Sequence, residues 1–280
     1  MSSSARRIPV PRFPAHWTKG PTGPAAPPPL AFNTLMKEFE AGARYQRSLF
    51  PTLPQLPGYD LFSFHRGAHL LSGDYFDCFP LADGRVGLLI SDASGKGIAG
   101  ALTAMAFRAV VRNLPNERYE RPAHFMKVAN SLLLRVVRRG IFVSAIYAVL
   151  DPARHEVTFA NAGHLPMLVH HAETNKVTTH GHNGPVLGVL PTKQYETKIG
   201  EITLRLAPND RLLLFTDGVN EAKAPSQLDF GFSHLHHRLI RDRELPSREI
   251  IRNLVEEMEV HRSGWEQSDD ITMIAAQRLT

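Results

Sequence analysis

Apolar positions near the start of the chain recur every three or four residues. This spacing predicts a helix over residues 33–50 with one narrow apolar stripe, and Pro51 and Pro54 follow its end. The stripe consists of Met36, Phe39, Ala43, Gln46 and Phe50. Two heptads of this kind are typical either of a short coiled coil, which would make residues 33–50 the contact of a homodimer, or of a helix that lies on the following domain. Both interpretations make the segment a connector.

Further along the chain the apolar residues form short runs between clusters of turn-forming residues. These runs predict strands over residues 59–64, 86–91, 143–150, 156–160, 212–216 and 271–276. Helical spacing returns over residues 98–113, 122–137, 234–240 and 247–260. The helices come in pairs between groups of strands, and the gap at residues 151–155 has the length of a hairpin connection. This order favours an α+β fold with antiparallel sheets over a doubly wound parallel sheet.

The first 30 residues differ in composition from the rest of the chain. They contain Arg6, Arg7, Arg12 and Lys19 without a carboxylate, and they are rich in proline, which predicts a disordered basic tail over residues 1–31. Most of the net charge of +5 lies in this tail, so the remainder is nearly neutral and we expect no nucleic-acid partner. We expect a connector helix and linker over residues 32–57 and one domain over residues 58–280.

Two further features of the sequence bear on location. No apolar run approaches the roughly 20 residues that cross a bilayer, so we expect no membrane span. The single cysteine, Cys78, excludes an intrachain disulfide and a cysteine-rich zinc site. A cytoplasmic location is therefore predicted, since reduced cysteine is typical of that compartment.

Four acidic segments lie at the ends of apolar runs, at residues 72–75, 91–95, 216–218 and 268–271. Asp92 and Asp217 each follow a strongly apolar stretch, which predicts that both lie where strands end, and Asp269 precedes the last strand. A single aspartate beside glycine is most often a turn residue that bonds its own backbone. The four segments together suggest a shared site.

Carboxylates that converge at about 4 Å repel one another by about 1 to 4 kcal/mol, depending on the local dielectric. Divalent cations relieve this repulsion. Oxygen ligands without cysteine, and without histidine at ligand spacing, select Mg²⁺ or Mn²⁺ over zinc. A carboxylate site with two ions is suited to phosphoryl transfer.

Six motifs in this order resemble the metal-dependent protein phosphatases of the type 2C superfamily, in the SpoIIE-type branch that regulates sigma-factor switches. The motifs are SGDYFD at 72–77, SDASGKG at 91–97, NAGHLP at 161–166, GPVLG at 184–188, FTDGVNEA at 215–222 and DDIT at 269–272. The resemblance implies an αββα sandwich of two mostly antiparallel sheets flanked by helix pairs. It also implies two bound ions, Mn²⁺ or Mg²⁺.

The resemblance assigns a role to each candidate site residue. Asp92 would bridge both ions, and the carbonyl group of Ala93 would be a further ligand. Asp74 would serve the metal site through an oxygen atom or through water. Asp217 and Asp269 would complete the shell of the second ion.

Some positions differ from the pattern of the family or are less certain in role. Ser94 stands where eukaryotic relatives have a histidine that is a candidate acid for the leaving group, and Lys96 follows it. Arg66 is a candidate for phosphate binding, and Asp270 ranks below Asp269 because relatives often have asparagine there. His164 is interpreted as a hydrogen-bonded structural residue.

The function implied by the resemblance is hydrolysis of phosphoserine or phosphothreonine on a protein in a partner-switching pathway. The implied substrate is a STAS-type anti-sigma-factor antagonist. One alternative is an interaction module that binds such a partner without turnover. Another is a binder of nucleic acid or anionic membrane that acts through the basic tail.

Overall fold

The structure, a computed structural model, describes residues 32–181 and 184–280, and the predicted tail over residues 1–31 lies outside them. By its contacts the chain divides into two units, residues 1–38 and residues 39–280. The described part of the first unit is the beginning of helix α1 (Phe32–Ser48). The limits of tail, connector and domain given above stay predictions.

Within the second unit, the later half of α1 packs through the predicted stripe. Ala43 and Gln46 are buried. The side-chain amide of Gln46 donates a hydrogen bond to the carbonyl group of Ser72 (2.7 Å), and its oxygen accepts one from the amide of Ser72 (2.9 Å). Phe50 stacks on Phe76 with ring centroids 5.1 Å apart. Residues 39–50 therefore lie on the domain that follows them.

The strands of the described residues form two five-stranded sheets in which all paired strands are antiparallel. One sheet has the order β1-β10-β9-β6-β7, and the other has the order β2-β3-β4-β5-β8. The strands are β1 (Tyr59–Arg66), β2 (Asp74–Pro80), β3 (Val86–Ala93), β4 (Val143–Asp151), β5 (Glu156–Ala162), β6 (Met167–His171), β7 (Lys176–His180), β8 (Ile202–Arg205), β9 (Arg211–Phe215) and β10 (Ile271–Arg278).

Helices cover the outer face of each sheet. Those that follow α1 are α2 (Ile98–Arg112), α3 (Pro122–Val136), α4 (Thr192–Glu196), α5 (Asp217–Asn220), α6 (Gly231–Arg241) and α7 (Ser247–Arg262). The main pairs are α2 with α3 on one sheet and α6 with α7 on the other. Among the described residues no helix is long and apolar enough to cross a membrane.

Alternation along the strands produces three apolar layers. On β3, Leu89 faces α2 and α3, whereas Leu88 and Ile90 face the other sheet. On β9, Leu213 faces α6 and α7, and Leu214 faces the sheet that contains β3. Each fully buried side chain of this size contributes about 1.5 to 3 kcal/mol to folding. The predicted αββα sandwich is confirmed.

The sequence pattern found six of the strands and missed β2, β6, β7 and β8. The segment around Asp74 was predicted to be an acidic turn, but Asp74 is the first residue of β2 and Asp77 lies further along the same strand. Both carboxylates are buried in the sheet because residues far along the chain bind them. An alternation of polar and apolar residues could not reveal such a strand.

Asp77 forms an ion pair that joins β2 to the end of α2, with its own carboxylate buried and the side chain of Arg112 37% exposed. Its carboxylate accepts hydrogen bonds from the hydroxyl group of Tyr75 and from two nitrogens of the Arg112 guanidinium, with Nε of Arg112 at 2.6 Å. The guanidinium also lies over the ring of Phe79. Because Arg112 is the last residue of α2, this pair fixes the end of the helix that is remote from Asp92.

Replacement of Arg112 by methionine should lower the free energy of unfolding by about 3 kcal/mol, because it leaves the buried carboxylate of Asp77 without a counter-charge. Urea denaturation measures the change. The control is Arg121→Met, which removes an exposed ion pair with Glu201 and should cost less than about 1 kcal/mol. Equal midpoints for the two variants would contradict the role assigned to Arg112.

Candidate active site and metal centre

The carboxylate of Asp74 lies at the end of β2, opposite Asp92 in the β2–β3 pair. One of its oxygens accepts hydrogen bonds from the hydroxyl groups of Thr216 (2.7 Å), which follows β9 of the other sheet, and Thr272 (2.6 Å), which lies on β10. Burial and the charge of Asp92 raise the pKa of Asp74 well above its usual range, although the two threonines act in the opposite direction. Asp74 therefore joins the two sheets beneath the candidate site.

Asp92 lies near the end of β3, and its side chain lines a cavity of about 240 Å³ together with His164, Asp217 and Glu221. Burial, followed by the charges of Asp217, Asp269 and Asp270, raises the pKa of Asp92 to about 7. The cavity thus holds a carboxylate that the surrounding protein destabilises in its charged form.

Asp217 begins α5, directly after β9, and lies across the cavity from Asp92. Burial and the nearby charges of Asp269 and Glu221 raise its pKa. The next residue must be glycine, because a Cβ atom on Gly218 would lie 1.9 Å from the carbonyl oxygen of Asp270. This close approach brings the start of α5 against the backbone that carries Asp269.

The two aspartates that precede β10 have different surroundings. Asp270 is buried, and its oxygens accept hydrogen bonds from the amides of Ala68 and Gly73, both at 2.7 Å. Asp269 is partly exposed and lies 3.7 Å from the ammonium group of Lys96. Asp270 therefore holds the loop before β2, while the side chain of Asp269 is accessible at the cleft.

The residues present fit a divalent cation by their chemistry. No Lys, Arg or His of the described residues forms an ion pair with Asp74, Asp92 or Asp217. Within residues 32–181 and 184–280, no three carboxylate, histidine or cysteine side chains converge closely enough to form a complete ligand set as they stand.

Ser94 and His164 lie beside the cleft but are engaged in structural hydrogen bonds. The hydroxyl group of Ser94 accepts a bond from the amide of Phe142 (2.9 Å). His164 forms a hydrogen bond with the hydroxyl group of Ser144 (2.8 Å), and burial lowers the pKa of His164 to about 4. A neutral imidazole at pH 7 agrees with the structural role predicted for this histidine.

Arg66 points away from the cleft. Its guanidinium lies 2.6 Å from a carboxylate oxygen of Glu259 and donates a hydrogen bond to the side chain of Gln267 (2.8 Å). These partners belong to α7 and to the loop before β10. The arrangement does not support the hypothesis that Arg66 binds phosphate.

The family described as Stage II sporulation protein E (SpoIIE) matches residues 82–279, which is more than half of the chain. The chain belongs to the SpoIIE family. The matched range includes Asp92, Asp217 and Asp269, and it begins after Asp74. The predicted resemblance is thereby confirmed at the level of the family.

Two bacterial proteins are similar to this SpoIIE-family chain. "Protein IcfG" of Synechocystis sp. is 27% identical over 268 residues, covering 86% of this chain and 41% of IcfG. "Phosphoserine phosphatase RsbU" of Bacillus subtilis is 27% identical over 248 residues, covering 87% of this chain and 71% of RsbU. The chain therefore spans less than half the length of IcfG and about seven tenths of RsbU.

A solved structure shows the same fold. The SiaA-PP2C domain of Pseudomonas aeruginosa aligns with a TM-score of 0.76 at 20% sequence identity, covering 90% of this chain and 99% of that domain. At this level of identity the likeness concerns the fold alone.

In the presence of EDTA, Asp92→Asn should raise the melting temperature at pH 8 and leave it nearly unchanged at pH 4. The pKa of Asp92 is about 7 in the folded chain and about 4 in the unfolded chain. Between these pH values the unfolded chain loses the proton of Asp92 before the folded chain does, so the free energy of unfolding falls as pH rises. Above pH 7 the folded chain carries the whole cost of the buried charge. Scanning calorimetry at both pH values, with Asp229→Asn as an exposed control, measures the effect. An equal shift at pH 4 and pH 8 would rule out this electrostatic penalty.

Proposed function

We propose that this chain is a protein phosphatase that hydrolyses phosphoserine or phosphothreonine on a regulatory protein, with two Mn²⁺ or Mg²⁺ ions as cofactors. The observation that carries the proposal is that Asp92 and Asp217 line one cavity without a balancing cation among the described residues, while the charge of the nearby Asp269 raises the pKa values of both. Membership of the SpoIIE family and similarity to a phosphoserine phosphatase, RsbU, support it.

In this proposal each site residue has a defined task. Asp92 would hold both ions, the Ala93 carbonyl group would be a further ligand, and Asp217 and Asp269 would hold the second ion. Asp74 supports the site from below, since the hydroxyl groups of Thr216 and Thr272 fix its carboxylate. When bound, the ions supply an activated water and stabilise charge on the phosphoryl group. The chain itself orients these ligands.

The substrate in this proposal is a phosphorylated STAS-type anti-sigma-factor antagonist in a partner-switching pathway. Similarity to RsbU supports the reaction class, and the partner itself rests on the motifs of the sequence. Asp92, Asp217 and Asp269 are each partly exposed, so a phosphoserine on a protein surface could reach them. We place this activity in the cytoplasm because the lone cysteine, Cys78, is free.

The proposal includes a homodimer formed through residues 33–50. Ala43 and Gln46 are already buried on their own chain, so only the opposite side of this helix, where Tyr45 is 69% exposed, is free to meet a second copy. Light scattering of the full chain and of Tyr45→Glu tests this contact. We expect the full chain to have the mass of two chains and Tyr45→Glu the mass of one. If both samples have the same mass, this dimer contact is refuted.

One observation favours the alternative of an interaction module with weak catalysis. His164, one of the side chains beside the cleft that could protonate a leaving group, is engaged in a hydrogen bond with Ser144, and burial lowers its pKa to about 4. A module of this kind would bind the phosphorylated partner without releasing phosphate.

Asp92→Asn and Asp217→Asn should each lower the rate of phosphate release from a phosphoserine peptide at least 100-fold, since each removes a ligand of the ions. Asp83→Asn, in an exposed turn at the other end of β2 and β3, is the matched control and should retain the full rate. EDTA should abolish release, and added Mn²⁺ should restore it. A folded Asp92→Asn chain with normal turnover would refute the metal site, and a wild type without turnover in Mn²⁺ would favour the interaction module.

A further inference from the structure

A tight turn beside the cleft presents two arginines to solvent. The amide of Ile141 donates a hydrogen bond to the carbonyl group of Arg138 (3.1 Å), and Gly140 has a φ of +87° that favours glycine. Arg138 and Arg139 therefore occupy the first half of the turn, and both are exposed. The turn follows the end of α3, where Arg135 is also exposed.

The sequence around this turn is basic over a long stretch. Residues 121–150 contain no carboxylate, whereas they include Arg121, Lys127 and the three arginines of the turn region. Within the described part of the chain, Arg135, Arg138 and Arg139 form no ion pair. Their charge is thus available to a partner.

The turn is attached directly to the loop that carries Asp92. The amide of Ser94 donates to the carbonyl group of Phe142 (2.9 Å), and the amide of Phe142 donates to the hydroxyl group of Ser94 (2.9 Å). Two residues further on, Ser144 lies opposite Asp92 in the β3–β4 pair. The position of the turn relative to the cleft is therefore fixed by the sheet.

Simple lengths put this turn near the edge of the surface that a partner bound at the cleft would cover. A protein that docks on a surface buries about 800 Å² on each side, which corresponds to a patch with a radius of about 16 Å. The five Cα–Cα steps from Arg139 to Ser144 span at most about 18 Å when fully extended, and the turn shortens this distance. The long side chain of Arg139 can reach back across the remainder.

Apolar side chains accompany the charges. Phe142 is 40% exposed and Val136 is 55% exposed, although both side chains are large and apolar. An aromatic side chain next to arginines is typical of protein-binding surfaces. The composition of this surface thus favours a protein partner that offers carboxylates around a small apolar contact.

We propose that Arg135, Arg138, Arg139 and Phe142 form a docking surface for acidic residues that flank the phosphoserine of the protein substrate. This inference rests on the proposed function and adds to it a basis for choosing among phosphoproteins. The arginines would pair with carboxylates beside the phosphoserine, whereas the cleft, lined by Asp92, Asp217 and Glu221, would bind the phosphoryl group through its ions. Separate surfaces therefore recognise the phosphate group and its neighbours.

Three synthetic phosphoserine peptides of equal length test the proposal, with flanking residues that are all Glu, all Gln or all Lys. The chains compared are the wild type, the double variant Arg138→Gln/Arg139→Gln, and the control Lys193→Gln/Lys198→Gln. The control removes two exposed cations on and beside α4 and causes the same change in net charge. For each combination of chain and peptide, kcat/KM is measured with Mn²⁺ at low salt, and binding is measured by fluorescence anisotropy. Each rate is divided by the rate on p-nitrophenyl phosphate, a small substrate without flanking residues, to correct for differences in the activity of the cleft itself.

The wild type and the control should prefer the Glu peptide over the Gln peptide by about 3- to 10-fold, as expected for two or three exposed charge pairs. The double variant should lose this preference, and added salt should weaken it in the wild type because the charges are exposed. A wild type without preference, or a double variant that keeps it, would overturn the docking surface. Binding to membranes instead of peptides would also overturn it. In that case the wild type would be retained on phosphatidylserine vesicles, the double variant would not, and neither chain would prefer one peptide over another.

The proposed function can fail separately from this inference. If no peptide is hydrolysed in Mn²⁺ but the Glu peptide still binds the wild type more tightly than the double variant, the docking surface stands and the phosphatase activity is refuted. If all peptides are hydrolysed at equal rates and bind equally, the activity stands and the docking surface is refuted.

Discussion

The two hydrogen bonds from Thr216 and Thr272 to the carboxylate of Asp74 connect the two sheets directly beneath the cleft. Asp74 begins β2 of one sheet, whereas Thr272 lies on β10 of the other sheet and Thr216 directly follows its strand β9. Asp92 lies near the end of β3 in one sheet, and Asp217 follows β9 in the other. The distance between the two carboxylates therefore depends on how the two sheets are aligned. The Asp74 contact therefore sets the geometry of the cleft.

The same arrangement carries an electrostatic cost. Burial and like charges raise the pKa values of Asp74, Asp92 and Asp217 together, and among the described residues only Asp269 has a cationic partner at the cleft. Elsewhere the protein pairs its buried charges, as the Asp77–Arg112 contact shows. The contrast indicates that the cleft gives up stability to keep its carboxylates available, which is typical of functional sites.

Local sequence patterns predicted the parts of the fold that depend on local alternation. The apolar runs before Asp92 and Asp217 identified β3 and β9, and hence the positions where two site carboxylates lie. The apolar stripe of α1 correctly predicted that Ala43 and Gln46 are buried. That this part of the helix lies on the following domain is seen only from the hydrogen bonds between Gln46 and Ser72.

The remaining features depend on contacts between residues that are distant in sequence. Strand β2 was missed because its aspartates are polar in the sequence, and they are bound in the fold by Arg112, 35 residues from Asp77, and by Thr272, 198 residues from Asp74. The anchoring role of Asp270 was equally hidden, since its partners are backbone amides that no residue pattern reveals.

The central claim is that Asp92, Asp217 and Asp269 hold two divalent cations at this cleft. The most direct test is an anomalous difference map from a crystal of the full chain soaked in Mn²⁺. We expect two manganese peaks in the cleft. The carboxylate of Asp92 should contact both ions, and the carboxylates of Asp217 and Asp269 should contact the second ion. A well-ordered cleft without manganese, or manganese bound without Asp92, would contradict this claim.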